Sequence, residues 1–342
     1  MKSILKVTTF CFTLLIFVIM QAAAFQNGEI KKTFKDVKSI RIKTVSGDCV
    51  VNNSNNDAVE VILKYTYDDE DFEPEFDQSG DRLILTERFR GHSMRGIRGR
   101  STWYLNVPQA TDIDFSTASG DFAVSDLKST IEASTASGDV ELTNITGEFD
   151  VSTASGDIKG RDVNGNVDFS TASGDVDLAQ VEGELSVSTA SGEISAENLS
   201  GEIDFSTASG KVEVSQSTGE FELSAASGRV EADEITLTAR SSFSTASGDV
   251  EVVLAKNPEY DLKISSASGD ALLNFNNHPI EGFIRMTAKA DRGRIKAPFK
   301  FDDEEIYYKW DDEYVTKSVT RGSNKPRIEI STASGSAVLR EK

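Results

Sequence analysis

Through the middle of this 342-residue chain, a carboxylate follows a Ser-Gly pair at a fixed interval. The column is Asp121, Asp139, Asp157, Asp175, Glu193, Lys211, Arg229, Asp249 and Asp270. If the copies stack, these carboxylates fall at a spacing from which Ca²⁺ can gather several oxygens. Two features weigh against calcium: each half-turn has one Gly where the calcium nonapeptide has Gly-Gly-x-Gly-x-Asp, and Lys211 and Arg229 put cations in the ladder. The expectation is a solvated turn column that holds no metal. A second column, Thr117, Thr135, Thr153, Thr171, Thr189 and Thr207, has two readings. It is either an exposed hydroxyl array of the ice-binding kind or an internal ladder bonding along the stack. The chain phase between Phe169 and Val176 flips somewhere in Thr171 to Gly174, so the columns alone leave open whether Thr171 or Ala172 points inward.

Catalysis finds little support. The chain has two histidines, His92 in a basic loop and His278 beside a Pro, and neither has metal-ligand spacing around it. There is no G-x-S-x-G elbow, Cys-His arrangement or phosphate-binding glycine loop. The repeated Ser-Gly-Asp copies cannot all be nucleophiles. We therefore expect no catalytic residue, no cofactor and no metal; a solenoid polysaccharide-acting enzyme is the alternative, with a calcium- or ice-binding solenoid behind it.

The elements that position these columns are written in the glycines. Gly120, Gly138, Gly156, Gly174, Gly192, Gly210 and Gly228 recur every 18 residues; Gly248, Gly269 and Gly335 continue the set at looser spacing. A second set, Gly147, Gly165, Gly183, Gly201 and Gly219, stands nine residues after members of the first. Between glycines, apolar residues alternate with polar ones, as in Val140, Leu142, Phe149 and Val151 around Glu141 and Asp150. That is strand period. The unit is two strands and two turns, and the first glycine set is expected to form a structural turn ladder.

Read down the stack, Phe122, Val140, Ile158, Val176, Ile194, Val212 and Val230 form an unbroken apolar column. A single rung cannot bury such a face, whereas rungs stacked about 4.8 Å apart can. An antiparallel sandwich would also fit a nine-residue half-unit, but it has no need for identical residues at every eighteenth position. The expected fold is all-β, a parallel β-solenoid of the single-stranded β-helix type with about 18 residues per rung and irregular capping flanks.

The expected organisation is a signal peptide over 1–24, divergent rungs and a cap over 25–110, regular rungs over 111–270, and rungs with an aromatic and acidic insertion or cap over 271–342. The signal peptide is read from Lys2 and Lys6, the apolar run Val7 to Met20, and Ala22 to Ala24. Its apolar run is shorter than a bilayer span needs. Cleavage would change the net charge from −20 to −22 and leave Cys49 without a disulfide partner and the chain without an integral span. Such acidity argues against nucleic acid. The segment Phe299 to Tyr314 reads FKFDDEEIYYKWDDEY; its interleaved aromatics and carboxylates suit a carbohydrate- or partner-binding insertion, and the favoured expectation is a hairpin cap with its aromatic face on the last rungs.

With these residues in view, the chain resembles the bacterial "putative adhesin" family of β-strand-repeat domains, a domain of unknown function. The marks are Trp103-Tyr104-Leu105-Asn106-Val107-Pro108 leading into Phe115-Ser116-Thr117-Ala118-Ser119-Gly120-Asp121, the repeated Ser-Gly-Asp-Val rungs, and the closing Ile328-Glu329-Ile330-Ser331-Thr332-Ala333-Ser334-Gly335. The resemblance spans about residue 35 to the end. It implies a single-stranded β-helix exported to the periplasm, cell surface or medium of a bacterium, and it supplies no ligand residues. The expected role is adhesion or envelope scaffolding, with an unidentified surface protein or glycan as partner.

Overall fold

The computed structural model describes residues 28–90, 98–309 and 311–342; the expected signal peptide lies outside them, as does His92. Among the described residues there are 27 strands and no helix, so none is long and apolar enough to cross a membrane. The fold is a parallel β-solenoid.

The regular rungs pair parallel with an offset of 18. Val140, Ile158 and Val176 lie side by side, as do Phe149, Val167 and Leu185. A one-residue slip would turn every one of these side chains to solvent, so burial itself fixes the register. The apolar columns merge into one continuous core from Val37 to Leu339. Large side chains are met by small ones: Gly160 leaves the space that Phe169 and Leu178 fill.

Each rung turns twice. One turn is the Ala-Ser-Gly-Asp corner. The other is not at the second glycine set, which stays paired within the strands, but three residues earlier. There Asp126, Asn144, Asp162, Gln180, Asn198, Gln216 and Glu234 all adopt left-handed backbone, with φ between 50° and 61°. Asn and Asp tolerate this region because their short polar side chains bond locally. Asn144 Nδ2 indeed donates to Asp126 Oδ1 at 2.5 Å, one rung away.

Both ends are threaded out of order. At the amino end, Ser39–Lys43 and Asp48–Asn53 lie between the rung of Asp112–Thr117 and Phe122–Ser125 and the rung of Arg82–Thr86 and Ser101–Val107. Antiparallel strands Ala58–Tyr65 and then Gly28–Lys35 close that end. At the carboxy end, Arg327–Arg340 is inserted between the rung of Leu262–Ser268 and Ala271–Asn274 and the outer rung of Gly282–Lys289 and Gly293–Lys296. The hairpin of Asp303–Lys309 and Asp312–Arg321 is then added antiparallel to Gly282–Lys289. Its inner strand buries Val319 in the core, while all of Asp303–Lys309 is exposed. Phe299 and Phe301, just before it, pack against the core instead, with Arg321 over the Phe299 ring.

Candidate functional site

The column residues turn out to serve the backbone. At Gly138, Gly156, Gly174, Gly192, Gly210 and Gly228, a Cβ would overlap the carbonyl oxygen of the glycine one rung before. The same holds at Gly120 against Gly47, and at Gly248, Gly269 and Gly335, which also have positive φ. The corner is tight because successive rungs approach backbone to backbone.

The threonines face inward and the alanines outward. Thr171 accepts the Gly174 N–H at 3.0 Å and donates to the Gly156 carbonyl at 3.3 Å; Thr153 and Thr189 repeat both bonds, and Thr207 repeats the bond to the preceding glycine carbonyl. The internal-ladder reading therefore holds in a modified form, with hydroxyls tied to backbone and not to one another. These hydroxyls are buried, 5–8% exposed from Thr135 to Thr207, so the ice-binding alternative loses its column.

The carboxylates are also engaged. Asp121 Oδ1 accepts the Asp139 N–H at 2.9 Å, and Asp139, Asp157 and Asp175 do the same for the next rung. The column sits at the surface but is more than a solvated edge, since it satisfies corner N–H groups that the strand ladder leaves out. Among the described residues, no group of three His, Cys, Asp or Glu is placed to hold a metal ion. Where the column turns basic, Lys211 bonds Glu213 and Glu231 at 2.7 and 2.5 Å, and Arg229 bonds Glu231 and Asp249 at 3.0 and 3.1 Å. Desolvation opposes ionisation of Glu231, but the bonds from Lys211 and Arg229 outweigh it and hold its carboxyl below the usual range. Burial pushes Asp177 up with Lys159 opposing, and pushes Asp204 up with Glu222 reinforcing.

The divergent copy Thr44 to Asp48 uses a different device. Glu87, 5% exposed, accepts the N–H groups of Val45 and Ser46 at 2.7 and 3.3 Å and a bond from the Ser101 hydroxyl. Cys49 beside it is buried, which drives its thiol far above the ordinary range. His278 bonds the Ala255 carbonyl at 2.8 Å.

Among the described residues, a groove of about 870 Å³ lies at the carboxy end. Its floor is the outward side of the Ser-Thr-Ala columns: Ser206, Ser224, Ser244, Ser265 and Ser331 stand on adjacent strands, with alanines two residues on. Thr287 extends the row and bonds Thr316 of the hairpin, Oγ1 to Oγ1 at 2.9 Å. The hairpin supplies the wall. Tyr307 and Tyr314 are cross-strand partners with ring centroids 5.4 Å apart and planes within 13°, and Lys309 lies beside them. No Asp or Glu lines the groove, although the chain has 56 of them. The sequence pattern offers these aromatics as a binding insertion or a cap; its symmetry about Lys309 and Asp312 is what pairs Tyr307 with Tyr314.

The same rung pattern is what a family comparison detects. The model described as Toastrack DUF4097 matches residues 37–215 and again 148–297, the first alone covering more than half of the chain. The chain belongs to the Toastrack family. Toastrack domains are β-solenoid-like and of unknown function, so membership carries the architecture and indicates no enzyme family. Among solved structures, a "putative cell adhesion protein" from Clostridium sporogenes is similar over 92% of this chain and 99% of that one, at 12% identity and a TM-score of 0.18. No curated protein matches the chain.

Proposed function

We propose that this Toastrack protein is an exported, non-enzymatic solenoid of adhesin type that works by surface contact, and that its groove takes an extended glycan. The observation that carries the reading is the groove's lining. A sugar presents an apolar C–H face and a rim of hydroxyls, and it suits a site that offers flat aromatic rings on one side and hydroxyls on the other. Here Tyr307 and Tyr314 supply the rings and the serine row supplies hydroxyls one strand apart. The lack of lining carboxylates suits a neutral or acidic chain in an otherwise acidic protein. Export rests on the basic, then apolar, then small-residue pattern of residues 1–24. The non-enzymatic reading is supported by membership of the Toastrack family, which indicates no enzyme family.

Isothermal titration of residues 25–342 against a panel of envelope and cell-surface polysaccharides tests this. Saturable binding is expected, weakened at least about tenfold in Tyr307→Ala and Tyr314→Ala, with no shortening of the polymer. No binding across the panel, or binding indifferent to both substitutions, would sink the glycan reading. A surface protein captured through the same tyrosines would keep the groove and change its ligand class.

A further inference from the structure

The outermost strand at the carboxy end, Asp303–Lys309, has a partner on one side only, Asp312–Arg321. All seven of its residues are exposed, with Ile306 at 57% and Tyr308 at 70%. Such an edge is a template for another strand, and proteins ordinarily blunt it with Lys, Pro, bulges or cover. The opposite end is treated that way. Its edge strand Gly28–Lys35 carries Lys31, Lys32 and Lys35, Lys32 lies over the Phe76 ring, and Gln78 bonds the Lys35 carbonyl at 2.7 Å.

We propose that Asp303–Lys309 pairs antiparallel with the same strand of a second copy of this chain, about a two-fold axis beside Ile306. In that register Ile306 meets Ile306, Glu304 meets Tyr308, Glu305 meets Tyr307, and Asp303 of each copy lies opposite Lys309 of the other. Every pair is apolar, polar–aromatic or oppositely charged, and the Asp–Lys pair forms twice, as an isologous interface requires. The neighbouring registers pair less of the strand. Centring on Glu305 sets that carboxylate against itself, and centring on Tyr307 still matches Glu305 with Lys309 but leaves Asp303 and Glu304 facing residues beyond the strand end, Asp303 against Asp311. Parallel in-register pairing would stack Asp303, Glu304 and Glu305 each on its own kind. Charge complementarity and full use of the seven-residue strand together select a second copy in this register. The interface is short and mostly backbone, so the dimer is expected to be reversible. It joins two solenoids by their hairpins. The inference goes beyond glycan binding and does not rest on it: Tyr307 and Lys309 border both the groove and the seam, while Asp303 and Ile306 belong to the seam alone.

Sedimentation equilibrium of residues 25–342 should show a concentration-dependent monomer–dimer equilibrium. Asp303→Lys, which sets two Lys–Lys pairs across the axis, should weaken it about tenfold, and Asp303→Lys with Lys309→Glu should recover most of that loss. Ile306→Cys should cross-link into a covalent dimer on addition of a copper–phenanthroline oxidant; Glu304→Cys, which faces Tyr308 in this register, should not. Thermal melts of each variant check that the solenoid is intact, since the strand contributes nothing to the core. A chain that stays monomeric at high micromolar concentration overturns the proposal. So does a mass that grows beyond the dimer, or a Glu304→Cys chain that cross-links as readily as Ile306→Cys.

Discussion

In the regular rungs the corner columns of Gly, Thr and Asp serve the backbone, whereas in the carboxy-terminal hairpin the exposed side chains do not. Gly174 makes room for a carbonyl, Thr171 bonds two glycines and Asp157 bonds the next rung's N–H. Tyr307, Ile306 and Tyr308 face solvent. Repetition marks what the stack needs in order to exist. The aromatic side chains free to meet a ligand or a second copy are found where the repeat breaks, facing the outward serine row of the rungs. Substitutions in the two regions should therefore act on different observables.

The sharpest contrast sets Gly174→Val against Ile306→Asp. The valine Cβ would overlap the Gly156 carbonyl, and neither backbone can move without parting the rungs. A loss of about 3 kcal/mol or more is expected in urea unfolding. Ile306→Asp should leave the midpoint within about 0.5 kcal/mol while altering self-association. A cost below about 1 kcal/mol at Gly174 would show that the corner is not set by backbone approach.

Next in size is Thr171→Val, which keeps the shape and removes the hydroxyl. It leaves the Gly174 N–H and the Gly156 carbonyl short of one bond each inside the rung. About 1–3 kcal/mol should be lost, and Thr171→Ser should recover much of it. Tyr307→Ala, by contrast, should weaken ligand binding with no change in the melt.

These residues also show how far the sequence could be read. The 18-residue columns gave the all-β solenoid because burial and register follow directly from periodicity. The inward threonine was not legible, since the phase flip depends on the corner's backbone. The left-handed column was overlooked because Asp, Asn, Gln and Glu at one position look like ordinary solvated polarity. Only their shared period of 18 marked a turn. The out-of-order threading had no local sign at all, because Arg327–Arg340 has the same strand pattern whichever rungs it lies between. The groove depends on that threading, which brings the hairpin over the serine row.

The left-handed column gives a smaller, opposite effect. Gln180, at φ 59°, lacks the short side chain that makes this region comfortable for Asn and Asp. Gln180→Gly should relieve about 1 kcal/mol of strain and return part of it as chain entropy, a net stabilisation of about 0.5 kcal/mol. Gln180→Val should destabilise the array instead.

The smallest effect expected is one of pH, and it separates two kinds of carboxylate inside the array. Asp177 and Asp204 are held above the usual carboxylate range, first by burial, and Asp233 likewise, with Glu234 adding to it. A raised folded-state pKa means that these groups favour folding fully below their unfolded value of 3.8. That contribution is lost as pH rises through the folded value. Glu231 has the opposite sign: held below 4.5 by Lys211 and Arg229, it favours folding at neutral pH and gives that up as pH falls through its folded value. Acidification from neutral pH toward the carboxylate range should therefore raise the melting temperature before the Glu231 contribution is lost, helped by relief of net negative charge. Asp204→Asn should be more stable than the parent at pH 7, and the advantage should shrink toward pH 4. Glu231→Gln should cost under about 1 kcal/mol at pH 7, since Lys211 keeps Glu213 and Arg229 keeps Asp249, and the cost should fade near pH 3. If both variants shifted the melt equally at every pH, the two carboxylates would be alike, and the basic interruption at Lys211 and Arg229 would have no role in the stack.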